Sequence, residues 1–217
     1  MVFRAEVAVL AGYDSETSRN KPVCQDVALA GAPVPSPAAD SGAPPAAVIF
    51  GVFDGHGPLG EQAASDASAA VAEAASAPAP PGASLPATLR TAVAAAEASL
   101  SSSLPAGRPG DLSGTTACCV AAARGRLCVA SVGDSAAVAA RVGREGKLYA
   151  VPLHTAKHSP SEPGERRRVE AAGGVVAQQR YEGGARDGPL RVFAPGGDAC
   201  GGGGPRRPGG AAGVRSV

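Results

Sequence analysis

Asp54, Gly55, His56 and Gly57 stand in a row where a short apolar run, residues 47–53 (AVIFGVF), stops. A carboxylate at the mouth of a buried strand is held rigidly. The adjacent glycine lets a backbone carbonyl face the same point, because no Cβ blocks the approach. Carboxylate and carbonyl oxygens suit a hard dication, Mg²⁺ or Mn²⁺, better than zinc. His56 titrates near neutrality and could protonate a leaving oxygen. The competing reading of the same residues is a plain Asp-Gly turn.

Asp26 ends a second segment, residues 20–26 (NKPVCQD), just before the apolar residues 27–30. A carboxylate at that strand edge could share a cluster with Asp54, while Arg19 and Lys21 could hold an anion. Asp134, within SVGDS, sits in a tight turn between strands; a turn aspartate that bonds nearby backbone N–H groups is the simpler account of it. His154 and His158 are four apart, a spacing that can place two ligands on one helix face. Thr155 stands where a zinc protease motif needs Glu, and Pro152 and Pro160 argue against a helix. Arg166, Arg167 and Arg168 read as a solvated helix face, with Val169 turned inward.

The elements that must position these groups follow from pattern and punctuation. Residues 2–10 read as a strand, residues 31–45 as a Pro-rich loop and residues 47–53 as a buried strand. Residues 60–77 form a helix by propensity, with Val71 its only large apolar residue, and the prolines at 78, 80 and 81 end it. Ser84 is a plausible N-cap for a second helix, whose apolar stripe is Leu85, Leu89, Val93, Ala96, Leu100 and Leu104. Residues 115–123 and 126–132 predict a hairpin joined by Arg124-Gly125. Further strands are expected over 136–141 and 147–153. A short helix over 163–172 has Pro163 at its start and Gly173-Gly174 after its end. Two consecutive helices among hairpin-joined strands give an α+β layered domain with antiparallel sheets.

Composition narrows the class. The chain has 217 residues and a net charge of +1, which argues against a nucleic-acid arm or a membrane-surface patch. No apolar run is long enough to cross a membrane. The N-terminal stretch carries Arg4 and Glu6, unlike a secretory signal, so an intracellular location is expected. Alanine makes up half of the 44% hydrophobic fraction, and with 30 Gly and 20 Pro it points to genomic base bias rather than to function. The 5 Cys include no C-x-x-C pair and suit core positions in a reducing compartment.

Taken in order, six segments resemble the metal-dependent Ser/Thr protein phosphatases of the 2C type, the PPM family, in a plant-, algal- or protist-like form. They are residues 20–26 (NKPVCQD), 50–57 (FGVFDGHG), 113–120 (SGTTACCV), 127–135 (LCVASVGDS), 158–174 (HSPSEPGERRRVEAAGG) and 189–193 (PLRVF). The resemblance implies a layered sandwich of two antiparallel sheets flanked by helices. It also implies two Mg²⁺ or Mn²⁺ ions at one end of the sandwich that activate a water against a phosphomonoester. Asp54 would bridge both ions, the Gly55 carbonyl and Asp26 would support them, and His56 would be the general acid. Asp134 would hold a weaker third ion, and Arg19 or Lys21 the phosphate. Substrates would be phosphoserine and phosphothreonine proteins, acted on by a cytoplasmic or nuclear monomer.

The chain also departs from the pattern. Gln25 stands where many members have Glu, and Lys157 where an Asp often precedes the family's His. The family's later R-x-x-G-D, S-D-G and D-N segments, which bring further metal-binding Asp residues and late strands, have no counterpart after Phe193. Residues 1–195 are therefore expected to be a partial phosphatase domain with its late strands missing, and residues 196–217 a disordered Gly/Pro/Arg-rich tail. Weak or absent turnover is expected of such a chain. The alternative function is a non-catalytic pseudophosphatase or regulatory binding module.

Overall fold

The computed structural model describes residues 6–10, 13–14, 19–20, 23–36, 45–80, 82–104, 113–123, 125–153, 157–180 and 186–193. Of residues 13–14, 19–20, 179–180 and 186–189 it describes the backbone alone. The chain forms two compact units, residues 1–155 and 156–217.

In the first unit, β1 (Tyr13–Asp14) pairs with β2 (Arg19–Asn20) in a short antiparallel ladder. The main sheet has the order β3-β4-β6-β7, from β3 (Asp26–Val34), β4 (Ala47–His56), β6 (Ala117–Ala123) and β7 (Arg126–Val132). A two-residue strand, β5 (Gly114–Thr115), pairs with the end of β4. Two helices, α1 (Gly60–Ser76) and α2 (Leu85–Ser103), pack on this sheet and on each other. A separate hairpin joins β8 (Val138–Val142) to β9 (Leu148–Pro152). All strand pairs are antiparallel.

The alternation of β4 makes the layers. Ala47, Ile49, Gly51, Phe53 and Gly55 are buried on one face, while Val52, Asp54 and His56 are exposed on the other. Ile49 and Phe53 are fully buried, together with Val71 of α1 and Cys119 of β6. Burying a side chain such as that of Phe53 contributes about 1.5–3 kcal/mol. The inward stripe of α1 is small: Ala63, Ala64, Ala67 and Ala75 around Val71. Small residues let α2 come close, where Leu89, Ala92, Ala96 and Leu100 fill the layer. The Ser84 hydroxyl accepts a hydrogen bond from the Ala87 N–H at 3.4 Å, so the expected N-cap is in place.

The ladder between β3 and β4 is interrupted once. Its pairing shifts by one residue between Leu29 and Ala32. This β-bulge includes Gly31, whose φ of +136° belongs to the region that favours glycine.

The α+β class, the antiparallel sheets and the flanking helices agree with expectation. Several boundaries do not. Residues 6–10 are irregular rather than strand. β3 runs on through Val34, into the segment expected to be a loop, because its alternate residues Ala32 and Val34 reach the core. The strand expected from residue 136 begins at Val138, after the turn residues have been used. The expected tail, residues 196–217, lies outside the described residues.

The second unit holds α3 (Pro163–Ala171) and a hairpin of β10 (Val175–Arg180) with β11 (Arg186–Phe193). Val169 is fully buried and α3 packs on β10. Of the basic run, Arg168 takes up a specific partner. Its guanidinium donates to both oxygens of the buried Glu165 carboxylate, from Nε at 2.8 Å and from Nη2. Arg166 pairs with Glu170 at 2.8 Å on the exposed side.

Burial pushes the Cys119 thiol up to about 12 and raises that of Cys118, whereas Cys24 is only half-buried. The thiolate is the reactive form. Alkylation of the native chain at pH 8 is therefore expected to label Cys24 and spare Cys118 and Cys119 until denaturant is added, as read by peptide mass spectrometry. Charge gives a second prediction. The hydrogen bonds from Arg168 are the main cause holding the Glu165 carboxyl below its usual range. A carboxyl lowered by folding adds stability above the ordinary carboxylate range and loses it as pH falls through the folded-state value. Arg168 is 57% exposed, so solvent screening limits the effect to about 0.2–1 kcal/mol. Arg168→Ala should cost about that much in urea unfolding at pH 7, and the difference should shrink once acid protonates Glu165.

Candidate active site

The register of β3 against β4 sets Asp26 directly opposite Asp54. Side chains directly opposite on an antiparallel pair have Cβ atoms about 4.5–5.5 Å apart, and like charges placed so repel. Both aspartates are exposed. His56 follows Asp54 by two residues, so it shares the outward face of β4 and is likewise exposed. Two carboxylates and an imidazole therefore occupy one end of the main sheet.

The backbone there is held by close packing. A Cβ on Gly55 would lie 2.2 Å from the Gly60 carbonyl oxygen and 2.5 Å from that of Gln25. Only glycine lets the end of β4 come so near the start of α1. The Gly55 N–H donates to the Gln25 carbonyl at 3.2 Å, and the Gln25 Nε2 donates to the Gly57 carbonyl at 2.8 Å. Gln25 thus grips both sides of the DGHG turn. The Ser113 hydroxyl accepts from the Leu59 N–H at 2.8 Å, which fixes the entry to α1.

Thr116, 5% exposed, holds the Asp54 peptide from both sides. Its Oγ1 accepts from the Asp54 N–H at 3.1 Å, and its own N–H donates to the Asp54 carbonyl at 2.9 Å. The same Oγ1 lies 2.6 Å from the Ser135 Oγ, and the Ser131 hydroxyl donates to the Ser135 carbonyl at 3.3 Å. Asp134 is exposed in this turn, which follows β7 at the same end of the sheet as Asp54.

The sequence-based site residues thus fare differently. Asp26, Asp54, Gly55 and His56 are brought together, and Asp134 lies on an adjacent turn at the same sheet end. Arg19 is in β2 opposite Asp14, with only its backbone described. Lys21 and His154 lie outside the described residues. Among the described residues, no group of three or more His, Cys, Asp and Glu side chains converges as a metal cluster. The donors that the register sets side by side are both oxygen, the carboxylates of Asp26 and Asp54. That set fits a hard dication in kind.

Sequence reading missed Gln25, Ser113, Thr116 and Ser135 as supports of the site. Single polar residues carry no periodic signal, and their partners lie up to 62 residues away. The hint available was their place inside the motif segments NKPVCQD, SGTTACCV and LCVASVGDS.

The fold is that of the PPM-type phosphatases. It superposes on the Mycobacterium tuberculosis serine/threonine phosphatase PstP with a TM-score of 0.51 at 21% identity, covering 77% of this chain and 63% of that one. It superposes on a Toxoplasma gondii phosphatase with a TM-score of 0.52 at 19% identity, covering 79% and 57%. The sequence pattern of the family Protein phosphatase 2C matches residues 15–185, and the chain belongs to that family. A probable protein phosphatase 2C 12 of Oryza sativa is 42% identical over 84 residues, 39% of this chain and 20% of the relative. The human integrin-linked kinase-associated serine/threonine phosphatase 2C is 36% identical over 76 residues, 35% of this chain and 19% of the relative. The matched segments thus span about a fifth of the length of these curated relatives.

Gly55→Ala tests the packing. Because backbone atoms, not flexible side-chain ends, meet the new methyl group, an overpacking cost of about 1–3 kcal/mol is expected in urea unfolding. Gly164→Ala, at a site with no positive φ where a Cβ meets nothing within 4 Å, is the surface control. Equal stability of Gly55→Ala and wild type would contradict the close approach.

Proposed function

We propose that the chain carries the catalytic end of a metal-dependent protein Ser/Thr phosphatase, hydrolysing phosphoserine and phosphothreonine monoesters. The observation that carries this reading is the Asp26–Asp54 register pair with His56 on the same face. Family membership supports it, and so does a related fold, PstP, whose catalytic domain is described in complex with two manganese ions.

Asp26, Asp54 and the Gly55 carbonyl would hold Mg²⁺ or Mn²⁺, and Asp134 a weaker third ion. A pair of such ions supplies an activated water and clamps the attacking and leaving oxygens of an in-line displacement. Asp54 contributes charge at a fixed point, since both its N–H and its carbonyl are bonded to Thr116. His56 would give its proton to the departing serine or threonine oxygen. Arg19 or Lys21 would hold the phosphate through a charge-assisted hydrogen bond. We place the activity in the cytoplasm or nucleus, in a monomer that binds neither nucleic acid nor membrane. A net charge of +1 supports the lack of a nucleic-acid or membrane-surface partner, and among the described residues no helix is long and apolar enough to cross a membrane.

A second reading has its own observation. Among the described residues no group of three or more His, Cys, Asp and Glu side chains converges, which favours a module that binds phosphoproteins without turning them over. A phosphothreonine peptide assay separates the two. The phosphatase reading expects slow phosphate release that needs Mn²⁺, stops with EDTA, and falls at least about 100-fold in Asp54→Asn, in keeping with the several kcal/mol that metal-ion catalysis supplies. Peptide binding with no release at any Mn²⁺ concentration would establish the binding module instead.

A further inference from the structure

The hydroxyl link from Asp54 to the Asp134 turn serves neither the helix layer nor the core. We propose that Thr116 is a positioning residue. It clamps the Asp54 peptide and, through Ser135, couples the placement of Asp54 to that of the turn carrying Asp134. The role rests on the metal-binding function proposed above.

Three observations converge on it. Thr116 makes both backbone-directed bonds to Asp54, at 3.1 and 2.9 Å, so the strand can neither slide nor rotate there without breaking them. The 2.6 Å contact with Ser135 crosses from the start of β6 to the turn after β7. That turn can reach Thr116 only because residue 133 is glycine. Gly133 has a φ of +96°, and a Cβ on it would lie 2.7 Å from the Thr116 Cγ2 and 2.9 Å from its Cβ. Thr116 itself is buried, and a buried hydroxyl or N–H that loses its partner is costly to leave unpaired. Groups that hold a metal ligand in place without touching the metal commonly change affinity by about 10- to 100-fold.

The test uses the full chain and two readouts. Mn²⁺ affinity is measured by the electron paramagnetic resonance signal of the free ion. Amide hydrogen exchange is followed along the main sheet. Thr116→Val keeps the side-chain shape and removes the oxygen; Thr116→Ser keeps the oxygen. In Thr116→Val, exchange should quicken at Asp54 and residues 133–135 while the rest of the sheet stays protected. Mn²⁺ affinity should fall about tenfold or more. Thr116→Ser should restore both. If Thr116→Val does not fold, Ser135→Ala carries the test. It should quicken exchange at residues 133–135 and lower Mn²⁺ affinity while leaving the Asp54 N–H protected. Unchanged exchange at Asp54 in Thr116→Val would overturn the clamp, and faster exchange with unchanged affinity would overturn the positioning role. Exchange quickened uniformly across the sheet would reduce Thr116 to a structural residue. Failure of the wild-type chain to take up Mn²⁺ overturns the metal-binding function and the positioning role together, and is told apart because the exchange pattern then changes with no affinity to lose.

Discussion

The one-residue bulge in β3 decides where the carboxylates meet. On the Val34 side of the bulge, Ala32, Pro33 and Val34 face Ile49, Val48 and Ala47. Carried on without interruption, that register would set Asp26 opposite Gly55, on the face that α1 covers. The extra residue moves the pairing by one step, so that Asp26 faces Asp54 on the open side. A shift of one residue flips every side chain to the other face. The bulge also keeps both halves of β3 productive: Ala32 and Val34 are buried on one side of it, and Val27 and Leu29 pack against the same core on the other. Gly31 makes this possible, with a φ that a side chain would strain and a place where a Cβ would lie 3.2 Å from the Val48 Cγ1.

Once the register is set, the site is held mainly by backbone contacts. Gly55 and Gly60 let β4 and α1 touch, Gln25 spans the turn, and Thr116 grips Asp54 from the next strand but one in the chain. Helix, sheet edge and turn therefore meet at one point. Displacing any of them would move Asp54 relative to Asp26. This explains how two short acidic segments 28 residues apart in sequence can act as one site (54 − 26).

Much of this was legible in the sequence because it is local. The apolar run of residues 47–53, the stripe of the second helix and the Ser84 cap each depend on neighbours within one element. Asp26, Asp54, Gly55 and His56 were recognisable because each sits where an apolar run begins or ends. The remainder depends on long-range fit. Nothing local reveals that Ala30-Gly31 form a bulge rather than the start of a Pro-rich loop, since glycine and proline nearby signal both. The hydroxyls of Ser113, Thr116 and Ser135 gain meaning only from partners distant in the chain. The hairpin of β10 and β11 escaped notice because its strands mix Gln, Arg and Gly with few apolar residues and show no clean alternation.

The opposed carboxylates tie stability to function. Asp26 and Asp54 repel each other in the ladder that the core imposes, and β3 cannot slip to separate them without turning Val27 and Leu29 out of the core. A cation held between them, as proposed, would remove that repulsion only in the folded chain, because the unfolded chain holds no such pair. Binding would then stabilise the fold by an amount that grows with the logarithm of ion concentration above the dissociation constant. The same reasoning explains why the site stands at the end of the sheet rather than at its middle. Val48, Phe50 and Val52 line the outward face of β4 before Asp54. Two charges beside the half-buried Val48 and Phe50 would lose part of their hydration, whereas at the strand mouth they stay exposed to water. A rigid apolar strand that stops at its last two outward residues is thus what lets like charges be held close without being buried.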